Sequence, residues 1–147
     1  MATPCTECGA VYTDPARSCA ERFDTLLALD HSREEPWGSR HGLIFAAYQL
    51  QHSTLLEPAA IDRYWLILYR IYVHGDDPVR MFAALRGRPD IRTHDWDVPS
   101  AKRPPAAVRY AVTIADLGDF EAAGYPSAVD RWCRAVLAAW GAPVAAP

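Results

Sequence analysis

The spacing of the cysteines constrains this chain more than any other feature. Cys5-x-x-Cys8-Gly9 is half of a zinc knuckle. Its two-residue spacer lets both thiolates face one ion at about 2.3 Å, and the following glycine permits a tight backbone turn. Cys19 adds a third sulfur. It stands in Ser18-Cys19-Ala20-Glu21, a capping box that starts a helix and puts Cys19 at its first position. A thiolate there is stabilised by free N–H groups and the positive end of the helix dipole. A thioredoxin-type redox pair would instead sit at the start of a helix after a strand, and no such pattern surrounds positions 5–8. Cys133, next to Trp132 and near Val136, reads as a core cysteine.

Three cysteines leave a fourth ligand to find, and helix geometry ranks the candidates His31, His41 and His52. The first helix carries Phe23, Leu26 and Leu27 on its apolar stripe and fades near Asp30-His31. A polar loop, Ser32 to Trp37, leads to a second helix from about Gly38 or Ser39, with His41, Ile44, Phe45, Tyr48 and His52 on one face. If the two helices form an antiparallel hairpin, facing positions have a constant sum. Phe23 with Tyr48 and Leu27 with Ile44 share one register, which also sets Asp30 opposite His41 and Cys19 opposite His52. Interaxial distances of about 8–10 Å lie within the combined reach of a cysteine and a histidine on a shared ion. His41 is about 16 Å from His52 along the axis, so both cannot bind that ion, and His31 fails for the same reason. The expected metal set is therefore Cys5, Cys8, Cys19 and His52, holding Zn²⁺. Such a closed set leaves no position for water or substrate, which points to a structural ion.

The remaining elements follow from periodicity and punctuation. A third helix starts near Pro58 and runs to Val73 before Gly75. Apolar residues cover most of its circumference, so it is expected to be the central, best-buried helix. Asp77-Pro78 opens a short fourth helix ending at Gly87. Residues 88–107 contain four prolines and no period, which predicts a long loop pinned by Trp96. Arg109 to Val112 is expected to be extended, Thr113-Ile114-Ala115-Asp116 caps a short helix in a box-like way, and a last helix runs from about Pro126 to Trp140. The expected fold is mainly α: a compact bundle of about four to six helices with an N-terminal zinc knuckle clipped to the first hairpin. One domain spans 1–147, divided into a metal knuckle (1–17), a helical core (18–87), a Pro-rich loop (88–112), C-terminal helices (113–140) and a tail (141–147).

Composition narrows the function classes. A formal net charge of −3 argues against nucleic-acid binding, which needs a basic face; Lys102, Arg103 and Arg109 form only a sparse basic stretch. The longest apolar run, Tyr64 to Val73, is interrupted by Arg70 and falls short of the roughly 20 residues that cross a bilayer, so no membrane partner is expected. The N-terminus lacks the basic flank and apolar core of a signal peptide, which predicts a cytoplasmic protein with reduced thiols. At the far end of the hairpin Asp30, Trp37, His41 and Tyr48 are expected to gather. A histidine held by a carboxylate beside a phenol suits a general base. The plainer reading is a histidine bonded to Asp30 that fixes the hairpin, with Trp37 packed over it.

The order Cys5-x-x-Cys8-Gly9-Ala10, Cys19, Phe23-x-x-Leu26-Leu27, Trp37-Gly38-x-x-His41 and Tyr48-x-Leu50-Gln51-His52 resembles an uncharacterised bacterial family, a domain of unknown function. The segments Thr113 to Leu117 and Trp132 to Trp140 are similar to its C-terminal part. The resemblance implies that the cysteines, His41 and the Gln51-His52 pair belong to one shared pattern, and it implies no activity. The expected function is a zinc-binding accessory protein that takes a small ligand or a protein partner. The competing expectation is a small enzyme, using either an open three-cysteine zinc or the Asp30, His41 and Tyr48 end as acid/base.

Overall fold

Most helices begin at a cap or a proline that the sequence supplies. The protein is described here from a computed structural model covering residues 2–105 and 110–145. Helix α1 (Cys19–His31) starts behind Ser18, whose hydroxyl accepts the Glu21 N–H at 3.1 Å. Only this half of the expected box forms: among the described residues, Glu21 makes no return bond to Ser18. A 3₁₀ turn, Gly38–Arg40, precedes α2 (His41–Gln51). Helices α3 (Pro58–Tyr72) and α4 (Pro78–Leu85) both open on proline, where the missing N–H costs nothing. The segment at Thr113 makes the full reciprocal cap. Ala115 N–H donates to the Thr113 hydroxyl and Thr113 N–H to the Asp116 carboxylate, starting the 3₁₀ turn Ile114–Leu117. Helix α5 (Tyr125–Ala139) closes the bundle. No strand occurs among the described residues. Arg109 lies outside them, and Tyr110–Val112 is irregular rather than extended into a strand.

The central position falls to α2 more than to α3. Helix α2 packs against α1, α3 and α5 together, burying Leu43, Ile44, Ala46, Ala47 and Leu50. Ala46 and Ala47 are fully enclosed, and their small side chains let neighbouring helices approach. Helix α3 is buried over the wide arc its composition predicts, from Ile61 through Trp65–Tyr69 to Ile71.

Polar side chains fix the contacts that apolar packing leaves loose. Gln51, 2% exposed, accepts the Trp132 indole N–H at 2.9 Å and donates to the Val112 carbonyl at 2.8 Å. It thereby joins α2, α5 and the segment before Thr113. Buried Arg22 of α1 donates to the carbonyls of Ile114 and Gly118, with its guanidinium 4.6 Å from the Phe120 ring centroid. The long proline-rich loop is held by more than Trp96. Ile91, Thr93 and Val98 are buried, the Trp65 indole donates to Pro99 O at 2.8 Å, and Arg70 lies over the Trp96 ring while donating to its carbonyl.

Candidate metal centre

Backbone hydrogen bonds shape the knuckle first. Gly9 N–H donates to Cys5 O at 2.9 Å and Cys5 N–H to Ala10 O at 2.8 Å. The turn they close requires the positive φ of 81° at Gly9, a conformation glycine adopts without steric cost. Both sulfurs of the pair are thereby directed to one side. Cys19 enters from the first turn of α1. His52 arrives from the C-cap of α2, where the helix has just ended and its backbone N–H still bonds Tyr48 O.

These four side chains converge. One ligand atom from each of Cys5, Cys8, Cys19 and His52 lies within 4.8 Å of all the others. Cys8 Sγ and Cys19 Sγ are 3.6 Å apart, and Cys5 Sγ lies 3.7 Å from His52 Nε2. Zinc bonds of about 2.3 Å to sulfur and 2.0–2.1 Å to nitrogen, at tetrahedral angles, separate ligand atoms by about 3.5–3.8 Å. The two measured edges fall in that range. A sulfur–sulfur bond is about 2.05 Å, so no disulfide joins these cysteines, all of which are free. The donor set fits a metal ion.

The surroundings orient the same atoms. His52 Nδ1 is 2.9 Å from Tyr48 O. A carbonyl can only accept, so Nδ1 carries a proton and Nε2 is the ring atom that faces the sulfurs, free to ligate once a metal displaces its proton, the usual outer-sphere arrangement of a ligating histidine. The ring also stacks on Tyr48 at 4.1 Å, and Tyr48 stacks on Phe23 at 3.9 Å. The Tyr12 hydroxyl donates to Cys19 Sγ at 3.1 Å. A hydrogen bond from Cys8, then those from His52 and Tyr12, overcome burial and pull the Cys19 thiol down to about 4. The Cys8 thiol is pushed up, first by its bond to Cys19 and then by burial. Burial opposes a charged His52, yet the Cys19 contact and the Tyr48 carbonyl push it up to about 9. The cluster therefore concentrates negative charge on sulfur and attracts positive charge to its centre.

A scan of protein families matches residues 3–141 to a family described as a family of unknown function. The chain belongs to DUF5946. Neither the curated proteins nor the solved structures give a match.

The second constellation of this DUF5946 protein forms only in part. His41 Nδ1 lies 3.1 Å from Asp30 Oδ2, at the facing ends of α1 and α2. Asp30 is 5% exposed, whereas the His41 side chain is 47% exposed. Burial pushes the Asp30 carboxyl above its ordinary value of 3.8, with the His41 hydrogen bond acting against that rise. Tyr48 does not join them. It stacks between Phe23 and His52, and burial followed by the charges of Cys19, Cys5 and Cys8 pushes its phenol up to about 12. Seven residues along α2 place it roughly 10 Å from His41, so Asp30, His41 and Tyr48 are not one acid/base group. Trp37 is also turned away: its indole donates to Phe120 O at 2.9 Å and its ring lies 6.3 Å from Tyr125. The aromatic neighbours of His41 are His31 and Phe45.

Two participants carry no signal in the sequence. Tyr12 reaches Cys19 from an irregular segment with no period to place it. Tyr125, whose buried hydroxyl has no hydrogen-bond partner among the described residues, has its phenol pushed up by burial first and then by the charge of Asp30, a residue far from it in the sequence.

Proposed function

We propose that this DUF5946 protein binds Zn²⁺ through Cys5, Cys8, Cys19 and His52, and that the ion is structural. The reading rests on one observation: four soft or borderline donors from three separate segments lie within 4.8 Å of one another. Cys8 and Cys19 are buried, Cys5 and His52 half-buried. With four protein ligands the coordination sphere is complete, and the ion ties the N-terminal knuckle to the α1–α2 hairpin. Ligand softness favours zinc over magnesium or calcium, which take oxygen. Retained free thiolates suit a reducing compartment such as the cytoplasm of a bacterium. On this scaffold the protein serves as an accessory protein for a small ligand or a protein partner.

Metal analysis with ligand-set spectroscopy on wild type and His52→Ala tests the assignment. Wild type is expected to hold one zinc with three sulfurs and one nitrogen. His52→Ala is expected to exchange nitrogen for water or to lose the metal. An unchanged spectrum in the variant, or nitrogen loss in His41→Ala instead, refutes the ligand set.

A second reading, an acid/base enzyme, is favoured by the Asp30–His41 hydrogen bond, which holds a half-exposed imidazole against a buried carboxylate. It requires His41 Nε2 to face substrate, and Tyr48 has no part in it.

A further inference from the structure

We propose that Cys5 is the reactive sulfur of the centre, a modification site for soft carbon electrophiles such as alkyl donors. The proposal rests on the zinc reading above and distinguishes three ligands which that reading treats alike. Three thiolates and one neutral imidazole around a divalent cation leave the cluster one unit negative, and the excess resides on sulfur. Hydrogen-bond donors withdraw that density where they touch. Cys19 Sγ receives the Tyr12 hydroxyl at 3.1 Å. Cys8 Sγ faces Cys19 Sγ at 3.6 Å and is wholly enclosed. Cys5 Sγ faces His52 Nε2 at 3.7 Å and, among the described residues, no other hydrogen-bonding group. A ligating Nε2 has no hydrogen to give, because the ring proton is on Nδ1 against Tyr48 O. Cys5 therefore keeps its lone-pair density.

Access runs the same way. Cys8 is 0% exposed and Cys19 6%, whereas Cys5 is half-buried. Cys5 is thus the sulfur that both lacks a donor such as the Tyr12 hydroxyl and lies within reach of a small reagent, and reactivity follows both properties. In the step itself the Cys5 sulfur lone pair forms a bond to the electrophilic carbon. The carbon–leaving-group bond breaks as it forms, and the leaving group departs with that electron pair. Cys5 becomes a neutral thioether, a weaker ligand; no oxidant or reductant takes part.

The test uses the zinc-loaded full chain with limiting methyl iodide or iodoacetamide, zinc content measured on the same sample, and adducts mapped by peptide mass spectrometry at low conversion. Cys5 is expected to carry at least about tenfold more adduct than Cys8 or Cys19. An even spread over the three, or first reaction at Cys8 or Cys19 with zinc still bound, overturns this proposal and leaves the zinc reading intact. A chain that holds no zinc under loading overturns both.

Discussion

Gln51 shows what one buried polar side chain contributes. Its amide is complementary to two fixed partners, accepting from the Trp132 indole and donating to Val112 O. Truncation would leave the indole N–H without its acceptor in a fully buried setting, and an unsatisfied buried group costs about 1–3 kcal/mol. Adding the cavity left by the side chain, Gln51→Ala is expected to lower unfolding stability by about 2–4 kcal/mol in urea titrations. A loss below about 0.5 kcal/mol, the size of an ordinary surface change, would show that water replaces the amide at little cost. Its neighbour His52 was legible because it is a histidine in register with a cysteine. Nothing local distinguishes the role of Gln51 from that of a helix-surface glutamine, since its partners lie 61 and 81 residues away. Tyr12 was hidden for a related reason: its contact with Cys19 depends on the path of an irregular segment.

At the scale of elements, the register of α1 against α2 could be read because aromatic and polar positions repeat at helical spacing on both. The Phe23–Tyr48 stack and the Asp30–His41 bond are two rungs of that register. The same register sets Tyr48 opposite Phe23, one turn from His52, so the expectation that it joins His41 conflicts with that register, and Tyr48 lies at the cysteine end. The Asp30 rung has a pH signature. Burial raises the folded-state proton affinity of its carboxyl above the ordinary 3.8. Its contribution to stability is therefore complete below the unfolded value and is lost as pH rises through the folded one. Asp30→Asn removes that titration while keeping an acceptor for His41. The stability of Asp30→Asn minus that of wild type is expected to become more positive as pH rises from about 3 to 6. Urea melts of both proteins at each pH measure it, and the difference cancels the acid sensitivity of the cysteine cluster. A difference that falls with pH would mean the His41 pairing outweighs burial.

At the scale of the molecule, two kinds of cohesion are distributed unequally along the chain. Helices α2, α3 and α5 interlock through large buried side chains, among them Leu50, Leu66, Leu68, Val129, Trp132 and Leu137. Among the described residues, the segment before α1 buries only Cys8 and Ala10, and its link to α2 and the turn after it runs mainly through the sulfur–imidazole cluster and one bond, Thr54 N–H to the Glu7 carboxylate. A helical bundle could be foreseen from periodicity because apolar stripes dictate it; the stabilising role proposed for the knuckle rests on ligand chemistry, since so short a segment has no apolar stripe of its own. Removing the metal should therefore divide the molecule. Chelation at neutral pH is expected to abolish hydrogen-exchange protection across residues 5–10 and in the first turn of α1, while α3 and α5 keep theirs and far-UV dichroism changes little. Loss of protection throughout would mean that the ion holds the whole bundle. Undiminished protection of the knuckle after complete metal removal would mean that the Gly9 turn and its two backbone hydrogen bonds suffice, and that the ion is there for chemistry rather than cohesion.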